Sequence, residues 1–205
     1  MKRILILLTL FSSHAFADIC TQADTDITAS YKEMKKTSIN SENYDYDKLF
    51  SLEQRFTEKL TTYLTQQGSF ECTYPQATAT GLVIKNAADN QLRAFLWESI
   101  LYIKEDKDTP HTFRYVLQFL GKNGKPQADA SFIDVVAKPL DIYPIRLNNE
   151  TIYGIAHEQL SKEEGTKHHS FLIRFLHINE ENKLRPAMRL QNEGQYWLAY
   201  SYNPE

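Results

Sequence analysis

Glycine and cysteine are scarce in this chain, seven and two among 205 residues, and basic residues do not outnumber acidic ones. Neither a glycine-rich phosphate loop nor a dinucleotide fingerprint occurs. The Gly-x-Ser-x-Gly and Ser-x-x-Lys nucleophile motifs are absent as well. A triad can still be assembled from distant residues, so these gaps weaken an enzyme reading without ending it, and no cofactor is called for. A formal charge of −3 fits nucleic acid and anionic membranes poorly. No apolar run reaches the ~20 residues that a bilayer crossing needs.

What the N-terminus does contain is Met1-Lys2-Arg3, a short apolar run from Ile4 to Phe11, and Ala15-Phe16-Ala17. A basic start, a brief apolar stretch and an Ala-x-Ala exit make a secretory signal, with cleavage expected after Ala17. Loss of Lys2 and Arg3 moves the formal charge two units further negative. A lipoprotein anchor would need a small residue before the cysteine, but Ile19 precedes Cys20. The expected location is therefore the periplasm or beyond, with no membrane span once residues 1–17 are removed.

Residues 18–73 read as a helical hairpin. Leu49, Leu52, Phe56, Leu60, Tyr63 and Leu64 recur at steps of three and four, the stripe of an amphipathic helix. Ile27, Tyr31 and Met34 mark a shorter helix over 21–36, a polar turn follows around 37–43, and Gly68 is a stop. Asn43, Asp45 and Asp47 superficially resemble a calcium loop. Lys48 and Gln54, however, stand where that loop requires Gly and Glu, so helix capping by Asn43 or Asp45 explains them better.

After Pro75 the pattern changes to short runs of β-branched and aromatic residues between turn signals such as Asp89-Asn90, Gly121–Gly124, Asn148-Asn149 and Asn192–Gly194. Strands are expected near 80–84, 91–104, 111–120, 130–137, 142–147, 151–157, 169–178, 184–190 and 196–202. The fold class is thus α+β: an N-terminal helical hairpin on an antiparallel β-meander over 74–205, closed as a sandwich, barrel or twisted sheet. Runs 91–104 and 169–178 are apolar on both faces and suit central strands. Pro139, Pro144 and Pro186 point to edges or bulges.

Cys20 and Cys72 are the only cysteines, and an antiparallel helical hairpin returns the chain to its start, so the two are expected to pair. His157, Glu158 and His168 flank a hairpin loop. Were residues 157 and 170 to face each other, His157 and His168 would share one side, enough for a weak two-nitrogen site or a hydrolase centre but short of the three or four ligands of zinc.

Two features suggest binding surfaces. If alternate turns lie at one end of the meander, Glu105, Asp106 and Asp108 project together with Glu158, Glu163, Glu164 and Glu193, and such an end steers a basic protein partner. In the last strand Tyr196, Leu198, Tyr200 and Tyr202 share one face and Trp197 takes the other, an arrangement suited to a sugar ring, a protein hot spot or simple core packing. Asn149-Glu150-Thr151 matches the N-glycosylation acceptor, which matters only in a eukaryotic cell. The expectation is an exported, non-catalytic binding protein of the bacterial envelope, of inhibitor or immunity type. The alternatives are an envelope hydrolase around His157 and His168 and a glycan or cell-wall binder.

Overall fold

The computed structural model describes residues 2–38, 45–101, 112–131, 138–163, 166–187 and 197–202. Among the described residues three α-helices, α1 (Lys2–Ser38), α2 (Tyr46–Leu64) and α3 (Pro75–Ala79), accompany nine strands. These are β1 (Val83–Asn86), β2 (Leu92–Glu98), β3 (Phe113–Leu120), β4 (Pro126–Asp129), β5 (Lys138–Leu147), β6 (Glu150–Glu163), β7 (Thr166–Ile178), β8 (Leu184–Pro186) and β9 (Trp197–Tyr202). The class is α+β, with every strand pair antiparallel. No described helix is long and apolar enough to cross a membrane.

The amphipathic stripe of α2 is buried as its spacing demands, through Leu49, Leu52, Phe56, Leu60 and Leu64. Asp45 caps the helix by accepting from the Lys48 amide at 3.0 Å, satisfying a donor that the first turn leaves open. α1 presents Ala23, Ile27, Tyr31 and Met34 to the same cluster. It is longer than the 21–36 expected, because nothing in residues 2–20 breaks a helix: neither Gly nor Pro occurs there. Tyr31 meets the Phe56 ring at 5.3 Å, and the Tyr63 hydroxyl donates to Asp26.

The strands form two sheets rather than one meander. The first has the order β1-β2-β3-β4 and the second β5-β6-β7-β8, with β9 also on β7. β8 pairs with Leu176–Ile178 and β9 with His169–Arg174, so both lie along one edge of β7 like a single interrupted strand. The pleat of the first sheet explains why β2 has apolar residues on both faces. Phe95 and Trp97, with Val116 of β3, join the helices in one cluster. Leu92, Ala94 and Leu96, with Tyr115, Leu117 and Phe119, join Ile142, Tyr153, Ile155 and Leu176 of the second sheet in another.

Other expectations shift locally. α3 occupies a stretch placed at the opening of the β region, β4 at 126–129 is a strand that was not expected, and most of the strand expected at 130–137 falls outside the described residues, as do residues 188–190. The proline reading holds: Pro139 and Pro144 lie on β5, an edge strand with a register shift between Pro139 and Asp141, and Pro186 lies on the short β8. Asparagine supplies the left-handed turns that scarce glycine leaves open. Asn148 and Asn149 both take positive φ, 48° and 66°, at the two-residue β5–β6 link, as a type I′ turn requires.

Candidate interaction face

Three buried polar groups lie at the junctions between elements, and the burial of none of them was expected from the sequence. The first surrounds the disulfide, which joins Cys20 of α1 to Cys72 with Cα atoms 5.2 Å apart. Four residues along α1, the buried Asp24 carboxylate accepts from the Gln76 and Ala77 amides, each at 2.9 Å, and caps α3. Arg93 of β2 donates to the carbonyls of Cys72 and Ser69, both at 2.8 Å, and to Gln118 Oε1. Its guanidinium lies against Phe70, Tyr74 and Phe95. A buried cation so enclosed has its donors met by oxygens, which burial otherwise makes costly.

The second is Glu53, fully buried on α2. Its carboxylate accepts from Trp97 Nε1 at 2.8 Å and Ser99 Oγ at 3.0 Å, with Arg114 Nε at 3.3 Å. Burial raises its pKa, opposed chiefly by Arg114 and then by the hydrogen bonds. A glutamate at i+4 from Leu49 reads as a flaw in the stripe until the Trp–Ser–Arg partners are known, and Trp97 and Ser99 lie 44 and 46 residues further along the chain, Arg114 further still.

The third is His157, fully buried between the sheets, with its ring 5.8 Å from Tyr115. Neither ring nitrogen has a hydrogen-bond partner among the described residues. Desolvation lowers its pKa to about 4, and the Arg174 charge adds to the effect. The carbonyls of Leu172 and Ile155 pull weakly the other way without meeting hydrogen-bond geometry.

His157 pairs with Leu172, not with residue 170, and His168 stands opposite Ser161. His168 is thus four residues away along β7, ~13 Å at strand spacing. The two histidines therefore cannot share an ion or a substrate atom, which corrects the sequence expectation. His157 is a neutral imidazole in a dry core, unfit for proton exchange with an outside substrate.

The other expected residues fall as follows. Glu105, Asp106, Asp108, Glu164, Glu193 and Tyr196 lie outside the described residues. Glu163 closes β6 opposite Thr166. At one end of the sheets Lys122 pairs with Glu180, and Asp89 accepts from the Tyr153 hydroxyl at 3.0 Å. The β2–β3 and β6–β7 connections both leave from the other end, marked by Tyr115 against His157. Tyr200 lies opposite Phe171, Tyr202 opposite His169 and Trp197 opposite Arg174.

That register opens onto a surface larger than the last strand. The side of the second sheet turned away from the core carries successive cross-strand rows: Ile145–Ile152–His177, Tyr143–Gly154–Phe175, Ala156–Ile173–Leu198 and Glu158–Phe171–Tyr200. Tyr143 is 52% exposed and Ile145 39%, while Phe171, Ile173 and Phe175 are half-buried. Neither core cluster includes any of them. Gly154 sits in the middle with no side chain of its own, and Ile173, Phe175 and Ile145 crowd to within 3.4, 3.5 and 3.7 Å of where a Cβ would stand. Carboxylates stand around the apolar rows: exposed Asp141, half-buried Glu158, and Glu150, which His177 Nδ1 meets at 3.0 Å.

Contiguous apolar surface of this kind on a sheet marks a place where another surface binds. β2 is buried from Leu92 to Trp97, whereas Phe171, Ile173 and Phe175 of β7, which the sequence also makes apolar on both faces, stay half-buried. No protein-family profile, no curated protein and no solved structure matches the chain.

Proposed function

We propose that this is an exported, non-catalytic protein-binding protein of inhibitor or immunity type, built as a helical hairpin over a β-sandwich and binding through the outer face of the second sheet. The observation that carries this reading is the contiguous apolar patch of Tyr143, Ile145, Phe171, Ile173 and Phe175 outside both cores. Aromatic and aliphatic groups on a flat, sparsely charged face suit a protein better than a small molecule, which prefers a concave site. The hydrolase alternative loses its centre with His157 sealed inside. The glycan alternative keeps one support, the position of Tyr200 and Tyr202 along the same face.

Export rests on the basic, apolar and Ala-x-Ala order of residues 1–17, and the disulfide is compatible with it. A basic partner would be steered by the acidic β2–β3 connection, with Glu105, Asp106 and Asp108, together with Glu163 and Glu164. The test is capture from an envelope extract with the wild type and with Tyr143→Asp/Ile145→Asp. A stoichiometric protein retained by the first and lost by the second is the expected result. Equal retention by both, or capture of glycan fragments alone, overturns the reading.

A further inference from the structure

The chain has one Asn-Gly dipeptide, Asn123-Gly124, and it stands at the exposed tip of the β3–β4 turn. The turn is tight: Gly124 N donates to the Gly121 carbonyl at 2.8 Å and Gly121 N to the Lys125 carbonyl at 2.9 Å. Within it the Asn123 side chain folds forward along the chain, its Oδ1 accepting from the Lys125 amide at 3.0 Å. A side-chain oxygen bonded two residues ahead carries its Cγ over the intervening nitrogen, here that of Gly124. Gly124 takes a φ of 72°, and among the described residues nothing lies within 4 Å of where a Cβ would stand. No side chain screens that nitrogen from its neighbour or from water.

The same asparagine joins the two sheets. A Cβ on Gly121 would stand 2.8 Å from Asn123 Oδ1 and 2.8 Å from Asn182 Oδ1, so the bare glycine makes room for both carboxamides. Asn123 N donates to Asn182 Oδ1 at 3.2 Å. Asn182 belongs to the β7–β8 turn, which Asn179 N closes on the Lys183 carbonyl at 2.9 Å. Beside this contact Lys122 pairs with Glu180.

We infer that Asn123 is a self-modification site at the joint between the two sheets, converted in the folded protein to aspartate and isoaspartate through a cyclic imide. Hydroxide takes the Gly124 amide proton once the bond to the Gly121 carbonyl opens. The nitrogen then attacks Asn123 Cγ and a C–N bond forms. Oδ1 takes the negative charge facing the Lys125 N–H, a donor already placed where that charge develops. Nδ2 leaves as ammonia with a proton from water, which regenerates the hydroxide and closes the ring. A second water opens it. Cleavage at Cγ gives aspartate, and cleavage at the backbone carbonyl gives isoaspartate, with the main chain routed through the side chain. One water is consumed and one ammonia released, with no oxidant or cofactor. The isoaspartyl product is the substrate class of carboxyl methyltransferases that act on isoaspartate. Either product adds a negative charge to the turn, and isoaspartate lengthens its main chain, drawing Asn123 N away from Asn182. The two tips then open more readily.

The experiment holds the folded, disulfide-intact protein in buffers of rising pH and follows each asparagine by peptide mass spectrometry. An isoaspartyl methyltransferase with a labelled methyl donor is the probe for the rearranged product. Asn123 should gain about 1 Da before any other asparagine, faster as pH rises, and its peptide should become a methyl acceptor. Gly121 lies outside the left-handed region, so Gly121→Ala keeps the backbone and crowds the carboxamide off its place. It should slow the conversion at least about tenfold, as misplacing a reacting atom does. Amide exchange over 121–124 and 179–183 should quicken in proportion to the modified fraction.

An Asn123 that stays intact while other asparagines change overturns the inference. So does a conversion rate indifferent to Gly121→Ala in a variant whose thermal melt shows it folded. Modified chains whose two turns exchange as slowly as fresh ones overturn the role at the joint. The wild-type measurements decide the matter alone where Gly121→Ala does not fold.

Discussion

Lowering the pH from 8 to 5 should destabilise this protein through one buried side chain. His157 lies between the sheets with no hydrogen-bond partner for either nitrogen among the described residues, and desolvation, aided by Arg174, holds its pKa at about 4 against 6.5 for an ordinary histidine. A histidine depressed in the folded state binds fewer protons there than in the unfolded chain across the window from pH 6.5 to 4. Stability is therefore complete above the unfolded pKa and declines as pH falls through that window, levelling off below about 4. The full difference is ~3 kcal/mol at ~1.4 kcal/mol per pKa unit, with ~2 kcal/mol of it lost by pH 5.

Other titrating groups contribute too, so the assay is a comparison: urea midpoints of the wild type and His157→Leu at pH 8 and pH 5. Leucine is of similar size and removes the unpartnered nitrogens, so it should at least match the wild type at pH 8. The gap between the proteins should widen by ~2 kcal/mol in the variant's favour at pH 5. A gap unchanged with pH, or an imidazole that titrates near its ordinary value by NMR in the folded protein, refutes the sealed-core description.

Three further perturbations probe the junctions between layers. Replacing Cys20 and Cys72 by Ser opens a loop closed across a sequence separation of 52 and should cost ~4 kcal/mol in the chain-entropy account, read as a lower urea midpoint. Asp24→Ala leaves the Gln76 and Ala77 amides without their carboxylate; ~1–2 kcal/mol should be lost, and amide exchange should quicken first in α3. Glu53→Ala leaves the buried Trp97 Nε1 and Ser99 Oγ donors without their acceptor and should cost ~1–3 kcal/mol for each, whereas Glu53→Gln, keeping the shape and an acceptor, should cost less in the same denaturation assay.

Periodicity made most of the elements legible. The stripe from Leu49 to Leu64, the Cys20–Cys72 pairing, the edge character of the Pro139 and Pro144 strand and the central place of β2 all follow from residue spacing and chemistry. What spacing does not carry is the identity of partners far along the chain. Glu53, Arg93 and Asp24 read as ordinary polar residues because the hydrogen bonds that satisfy each come from groups at least 21 residues away. The expected His157–His168 site failed for a related reason: hairpin register depends on where the turn falls, and with the turn at 164–165 the partner of His157 is Leu172.

The outer face shows the sharper limit. β2 carries apolar residues on both faces around Arg93, and β7 does so from Phe171 to Leu176 around Arg174, so neither shows the clean alternation of a strand with one wet face. β2 fills its two faces with α1, α2 and the second sheet, and is buried from Leu92 to Trp97. β7 has the first sheet on one side only, and Phe171, Ile173 and Phe175 on the other remain half-exposed beside Tyr143 and Ile145. The chain thus carries one more apolar face than its own layers cover. Leaving such a face to water gains the fold nothing, since each apolar group left partly exposed forgoes part of the ~1.5–3 kcal/mol that full burial provides. The proposed protein-binding role accounts for this surplus, since a partner's surface would supply the missing layer over Phe171, Ile173 and Phe175.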